Sequence, residues 1–133
     1  MKKLLVVIPI MLAMLTCLVP LQSKGLLIYV PGNREFWEVA QFEKMEVRFN
    51  DGFYFYITTH DVEHIGIGSI RLAQIVRNVF RRNLNTIATI THNHLPGYCQ
   101  GLTNGDRHVR DELRALGFNG RFLVWYEGQF YNQ

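Results

Sequence analysis

Apolar residues fall along this chain in blocks of two kinds, and the change from a period of two to one near 3.6 marks out the elements. Leu26 to Val30 (LLIYV) is a short apolar run stopped by the turn pair Pro31-Gly32, which predicts a first strand. Asn33 then caps a short helix with Phe36, Trp37, Val39 and Phe42 at helical spacing. Glu46 to Phe49, the turn Asn50-Asp51-Gly52 and Phe53 to Thr58 (FYFYIT) predict a hairpin: Asp-Gly supplies the positive φ of a tight turn, and aromatic residues favour strands. Ile65 to Ser69 (IGIGS) is a glycine-punctuated strand or edge segment, where another backbone or a ligand can approach closely. Ser69 caps a helix to about Asn83, with Leu72, Ile75, Val76, Val79 and Phe80 on one face and Arg71, Asn78, Arg81 and Arg82 elsewhere. Leu84-Asn85-Thr86 turns the chain into a central strand, Ile87 to Thr91. Thr103 opens a second helix through Val109, Leu113 and Leu116, closed by Gly117, and Arg121 to Tyr131 ends the chain as a hairpin around Glu127-Gly128. Strands alternating with two helices predict a layered α/β sandwich with its site on loops at a strand's carboxyl end.

The chemistry concentrates in the stretch TITHNHLPGYCQGLTNGD, Thr89 to Asp106. Side chains alternate across a strand, so His92 and His94 project to one face while Asn93 points away. Two neighbouring imidazoles suit a divalent ion. Asp106, returning at the start of the next helix, offers an oxygen ligand and leaves the fourth tetrahedral position open, as in catalytic zinc sites. Thr103-x-x-Asp106 is also a capping-box pattern, and the two roles are compatible because the hydroxyl can cap or donate while Asp106 turns toward the histidines. Cys99 lies in the same loop as either a further ligand or a semi-exposed thiol. His60-Asp61-Val62-Glu63-His64 matches the inverted zinc-peptidase pattern H-x-x-E-H, but that pattern needs a helix. The β-branched residues Thr58, Thr59, Val62, Ile65 and Ile67, with Gly66 and Gly68, argue against one.

Lys2-Lys3 followed by an apolar run from Leu4 to Leu21 changes the picture of the 133-residue chain. This is the charged and apolar order of a secretory signal, and it is also long enough to remain as an N-terminal membrane anchor. Residues 1–23 are therefore read as a signal peptide or anchor and residues 24–133 as one domain. Either alternative places that domain outside the cytoplasm, periplasmic, secreted or membrane-anchored. Cys17 is a poor lipidation site with Thr16 before it. Beyond the leader only Cys99 remains, which excludes an intramolecular disulfide. The formal net charge of +3 includes Lys2 and Lys3, so the domain is only slightly basic, too little by itself to argue for a nucleic-acid partner.

The order H-x-H, loop, T-x-x-D resembles the JAB/MPN (JAMM) metallopeptidase domain, whose pattern is H-x-H-P followed by S-x-x-D with a separate upstream Glu. The likeness is greatest to its RadC-like branch and covers about Gln41 to Tyr131. Leu95 stands where the family has Pro, Pro96 comes one place later, and Thr103 replaces the usual Ser. The resemblance implies a three-layer JAB/MPN-like sandwich with a mixed sheet flanked by helices. It also implies Zn2+ on His92, His94 and Asp106, a general base at Glu43 with Glu46 as the second candidate, and Thr103 in support of the oxyanion. The implied activity is hydrolysis of an amide or isopeptide bond in a peptide or protein substrate. A non-catalytic module binding a protein partner is the alternative within the same family. The RadC likeness also suggests DNA association, which export opposes.

Overall fold

The computed structural model describes residues 26–29, 42–59, 67–98 and 100–132. The leader, the expected helix after Asn33, His60, His64, Ile65 and Cys99 lie outside the described residues. Among the described residues six strands form one sheet: β1 (Leu27–Tyr29), β2 (Lys44–Phe49), β3 (Tyr54–Thr58), β4 (Ile87–Asn93), β5 (Arg121–Tyr126) and β6 (Gln129–Asn132). They lie in the order β1-β3-β2-β4-β5-β6. All neighbours are antiparallel except β4 and β5, which are parallel. A parallel pair needs a crossover, and helix α2 (Asn104–Ala115) supplies it. Helix α1 (Ser69–Gln74) precedes β4. The domain is therefore α/β with a mixed sheet.

The expected hairpin is β2–β3, with Gly52 at φ +93° and its N–H donating to the Phe49 carbonyl at 2.9 Å. Cross-strand register aligns Val47 with Phe55 and Ile90, and Ile90 with Phe122. These residues line one face and join Leu72, Val76, Leu84, Leu102, Leu113 and Phe118 in a single buried core. Both described helices contribute to that core. The opposite face of the sheet carries Glu46, Tyr56 and Thr91, also buried.

Three expectations around α1 change. Ile67 and Gly68 are not in a strand, and Ser69 is the first helical residue rather than its cap. Gly68 occupies the cap position, and the Ser69 hydroxyl donates to Glu112 Oε1 of α2 at 2.5 Å. The helix also stops short of Asn83: after Gln74 it widens into a π turn, Ile75–Val79, where the Phe80 N–H reaches back to the Ile75 carbonyl at 3.2 Å. The wider turn shifts the phase of the apolar stripe. Val79 is turned outward, 50% exposed, while the Phe80 ring stacks on Phe55 with centroids 4.1 Å apart.

Helix α2 ends where expected. Gly117 at φ +117° lets its own N–H reach the Arg114 carbonyl and the Phe118 N–H reach the Leu113 carbonyl, the paired bonds of a Schellman motif. Phe118 and Leu113 are both buried, the apolar contact that accompanies this cap. Gly120, just before β5, has a different constraint. A Cβ there would press into the backbone carbonyls of Ile87 and Ala88, where the parallel strands converge. Gly120→Ala is expected to destabilise the domain by about 1–3 kcal/mol through overpacking against backbone that cannot yield. Thermal unfolding checks this; an unchanged midpoint would contradict it.

Candidate metal centre

β4 delivers His92 and His94 to the core face at the carboxyl end of the strand. His92 is aligned with Met45 of β2 on one side and Val124 of β5 on the other. The His94 N–H donates to the Trp125 carbonyl at 2.9 Å, continuing the β4–β5 ladder one residue past the strand. This step sets Tyr126 beside His94 on the same face, a neighbour that chain order alone does not reveal. After His94, Leu95-Pro96-Gly97-Tyr98 reverses the chain. Pro96 occupies the second position, Gly97 has φ +89°, and the Tyr98 N–H donates to the Leu95 carbonyl at 3.1 Å, the features of a type II turn. Buried Leu102 then anchors the loop just before Thr103.

Thr103 is the N-cap of α2, and the capping box is complete. Its hydroxyl oxygen accepts from the Asp106 N–H at 3.1 Å, and Asp106 Oδ2 accepts from the Thr103 N–H at 2.8 Å. The same carboxylate turns to the histidines. Asp106 Oδ1 is 3.2 Å from His92 Nε2, Oδ2 is 3.3 Å from His94 Nε2, and the two Nε2 atoms are 3.1 Å apart. One side chain thus both completes the cap and faces the two histidines. Burial alone would raise the Asp106 pKa. The facing imidazoles and the Thr103 N–H outweigh it and hold the carboxyl well below the usual carboxylate range. Asp106 is therefore anionic at neutral pH.

These spacings fit a shared cation. Donors about 2.0–2.1 Å from a tetrahedral ion stand about 3.3 Å from one another, close to all three observed separations. Hydrogen bonds alone cannot satisfy the triangle. If both imidazoles carry a proton on Nε2, the 3.1 Å edge sets two donors against each other. If either carries it on Nδ1 instead, a nitrogen lone pair faces a carboxylate oxygen. His92, His94 and Asp106 can hold a metal ion, with the histidines 2% and 5% exposed and the acid partly open to solvent. Among the described residues the buried His92 Nδ1 has no hydrogen-bond partner. The His92 ring packs tilted against Phe122, with centroids 5.8 Å apart.

The two candidate bases separate cleanly. Glu46 lies on the opposite face, where its carboxylate accepts Arg48 Nε at 3.2 Å, Arg48 Nη2 at 2.9 Å and the Tyr56 hydroxyl at 2.9 Å. That role is structural and removes Glu46 from consideration; strand alternation accounts for it, since Met45 and not Glu46 aligns with His92. Glu43 is buried and lies just before β2, two residues from Met45, so alternation carried past the start of the strand sets it on the face of Met45 and His92. Sequence reading did not find a role for Asn93, whose amide bridges to the backbone on either side of Glu43 (Lys44 N–H to Oδ1, 2.6 Å; Nδ2 to the Phe42 carbonyl, 3.2 Å). No local signal marks it, because its partners are 49 and 51 residues away.

Fold and site together define an α/β domain with a two-histidine, one-aspartate group that could hold a metal ion. Compared with family models, curated proteins and solved structures, the chain matches none. Among the described residues no helix is long and apolar enough to cross a membrane.

Proposed function

We propose that this chain is a zinc-dependent metallopeptidase or isopeptidase of the JAMM type. In this reading it carries a three-layer JAB/MPN-like sandwich and hydrolyses an amide bond outside the cytoplasm, with residues 1–23 exporting or anchoring it. The observation that carries the reading is the triangle of His92 Nε2, His94 Nε2 and Asp106 carboxylate oxygens at 3.1–3.3 Å, with buried Glu43 just before the adjoining strand β2.

Bound zinc would polarise the scissile carbonyl and acidify water at its open position. Two imidazoles with one carboxylate are a zinc-type donor set, and their net charge of −1 leaves the loaded site positive, suited to a developing oxyanion. Glu43 accepts a proton from the attacking water and passes it to the leaving amine, a transfer that needs a buried carboxylate on the metal face. The Thr103 hydroxyl uses a lone pair in the helix cap, so its proton remains to be donated to the oxyanion. Asp106 fixes the imidazoles, and Tyr126 flanks the site from β5.

The test is hydrolysis of fluorogenic peptides and ε-lysine-linked isopeptides by the full chain. Cleavage is expected with zinc, is lost on chelation and returns when zinc is restored. Zinc binding at one ion per chain with no cleavage of either class would leave the non-catalytic module that binds a protein partner.

A further inference from the structure

β2 and β4 pair as main chains only as far as Met45 opposite His92. Beyond that point Asn93 substitutes its side chain for its backbone. Its Oδ1 accepts the Lys44 N–H at 2.6 Å, and its Nδ2 donates to the Phe42 carbonyl at 3.2 Å. In an extended chain the carbonyl of one residue and the N–H two residues on point to the same neighbour, while the intervening residue's polar groups point to the other. The intervening residue is Glu43, and its carbonyl indeed accepts the Thr58 hydroxyl of β3 at 2.8 Å. The backbone at Glu43 is therefore held from both sides, and the alternation of β2 carried one residue past its start sets the Glu43 side chain on the face of Met45 and His92. Asn93 is 2% exposed, so its amide does not exchange these partners for water.

We propose that Asn93 is a positioning residue: its carboxamide clasps the backbone on either side of Glu43 and thereby aims the Glu43 carboxylate at the His92–His94–Asp106 site. The residue between the two ligand histidines thus works across the strand pair, on the base rather than on the metal. An amide is the side chain this task requires, because one end must accept and the other donate. Aspartate keeps the acceptor for Lys44 but sets a carboxylate oxygen against the Phe42 carbonyl; alanine keeps neither. The effect on turnover rests on the reading of Glu43 as proton carrier, while the clasp itself does not.

The experiment compares wild type, Asn93→Ala, Asn93→Asp and Glu43→Gln as zinc-loaded full chains. Three quantities are read: zinc stoichiometry, hydrogen exchange of the Lys44 amide, and the carboxyl 13C shift of Glu43. In Asn93→Ala the Lys44 amide is expected to exchange about tenfold faster or more, and the Glu43 carboxyl signal to move, with zinc still bound at one per chain. Asn93→Asp should fall between, retaining protection at Lys44 while the Glu43 signal moves. In the peptide assay Asn93→Ala is expected to lose turnover as Glu43→Gln does, and the double variant no more than either. Unchanged exchange and an unmoved Glu43 signal in Asn93→Ala would overturn the proposal. A wild-type chain without hydrolysis but with these spectral changes would overturn the peptidase reading and leave the clasp standing.

Discussion

Asp106→Asn is expected to strip the chain of zinc while leaving helix α2 folded. The substitution separates the two roles of this side chain. An asparagine oxygen still accepts the Thr103 N–H, now seen at 2.8 Å to Oδ2, so the first turn keeps its cap. What is lost is the negative charge and the second oxygen that faces the imidazoles. A site reduced to two neutral nitrogens should bind zinc more than about a hundredfold more weakly, since even outer-shell changes cost 10–100-fold. Metal analysis after dialysis should show about one zinc per wild-type chain and close to none in the variant. His92→Ala should give the same metal loss with a further loss of stability, because it also empties space within the core face. Zinc should raise the unfolding midpoint of wild type, by about 4 kcal/mol of stabilisation at a thousandfold excess over Kd, and leave Asp106→Asn unmoved. Full zinc retention in both variants would end the metal reading.

Glu43→Gln is expected to reduce turnover by about 10²–10⁴-fold, the usual contribution of a positioned acid–base group, with zinc content unchanged. Glutamine preserves the volume and the backbone bonds at this position, including the Thr58 hydroxyl on the Glu43 carbonyl, but cannot carry a proton. Glu46→Gln is the matched control. It weakens the acceptor of Arg48 and of the buried Tyr56 hydroxyl, costing about 1–3 kcal/mol of stability, yet lies on the other face and should leave turnover per folded molecule within a few-fold. If the two variants exchanged these phenotypes, the assignment of faces by strand alternation would be wrong. Burial first, and then the Glu46 carboxylate, push the Tyr56 hydroxyl up from its ordinary value, so it remains a donor throughout the working range of either assay.

What was legible in the sequence was local. H-x-H at the end of a β-branched run fixes two imidazoles on one face through the pleat alone, and Thr-x-x-Asp places a carboxylate in the first turn of a helix. The Asn-Asp-Gly hairpin and the Gly117 stop were readable for the same reason: each needs a positive φ that the neighbouring pattern brackets. The end of α1 was not readable. Its π turn answers to the stacking of Phe80 on Phe55, a contact between elements whose pairing no short window contains. Ser69 had the composition of a cap, but the Glu112 carboxylate from α2 claimed its hydroxyl. The choice between Glu43 and Glu46 waited on the β2–β4 register, since a shift of one residue reverses every face. Asn93 waited on it too.

The carboxylate of Asp106 ties the opening turn of α2 to the imidazoles of β4, so the two cannot be loosened independently. In a loaded chain, fraying of that turn and escape of the ion would be one event. Metal residence time would then report the local unfolding rate of a helix end, and a chelator would act as a probe of how often that end comes undone.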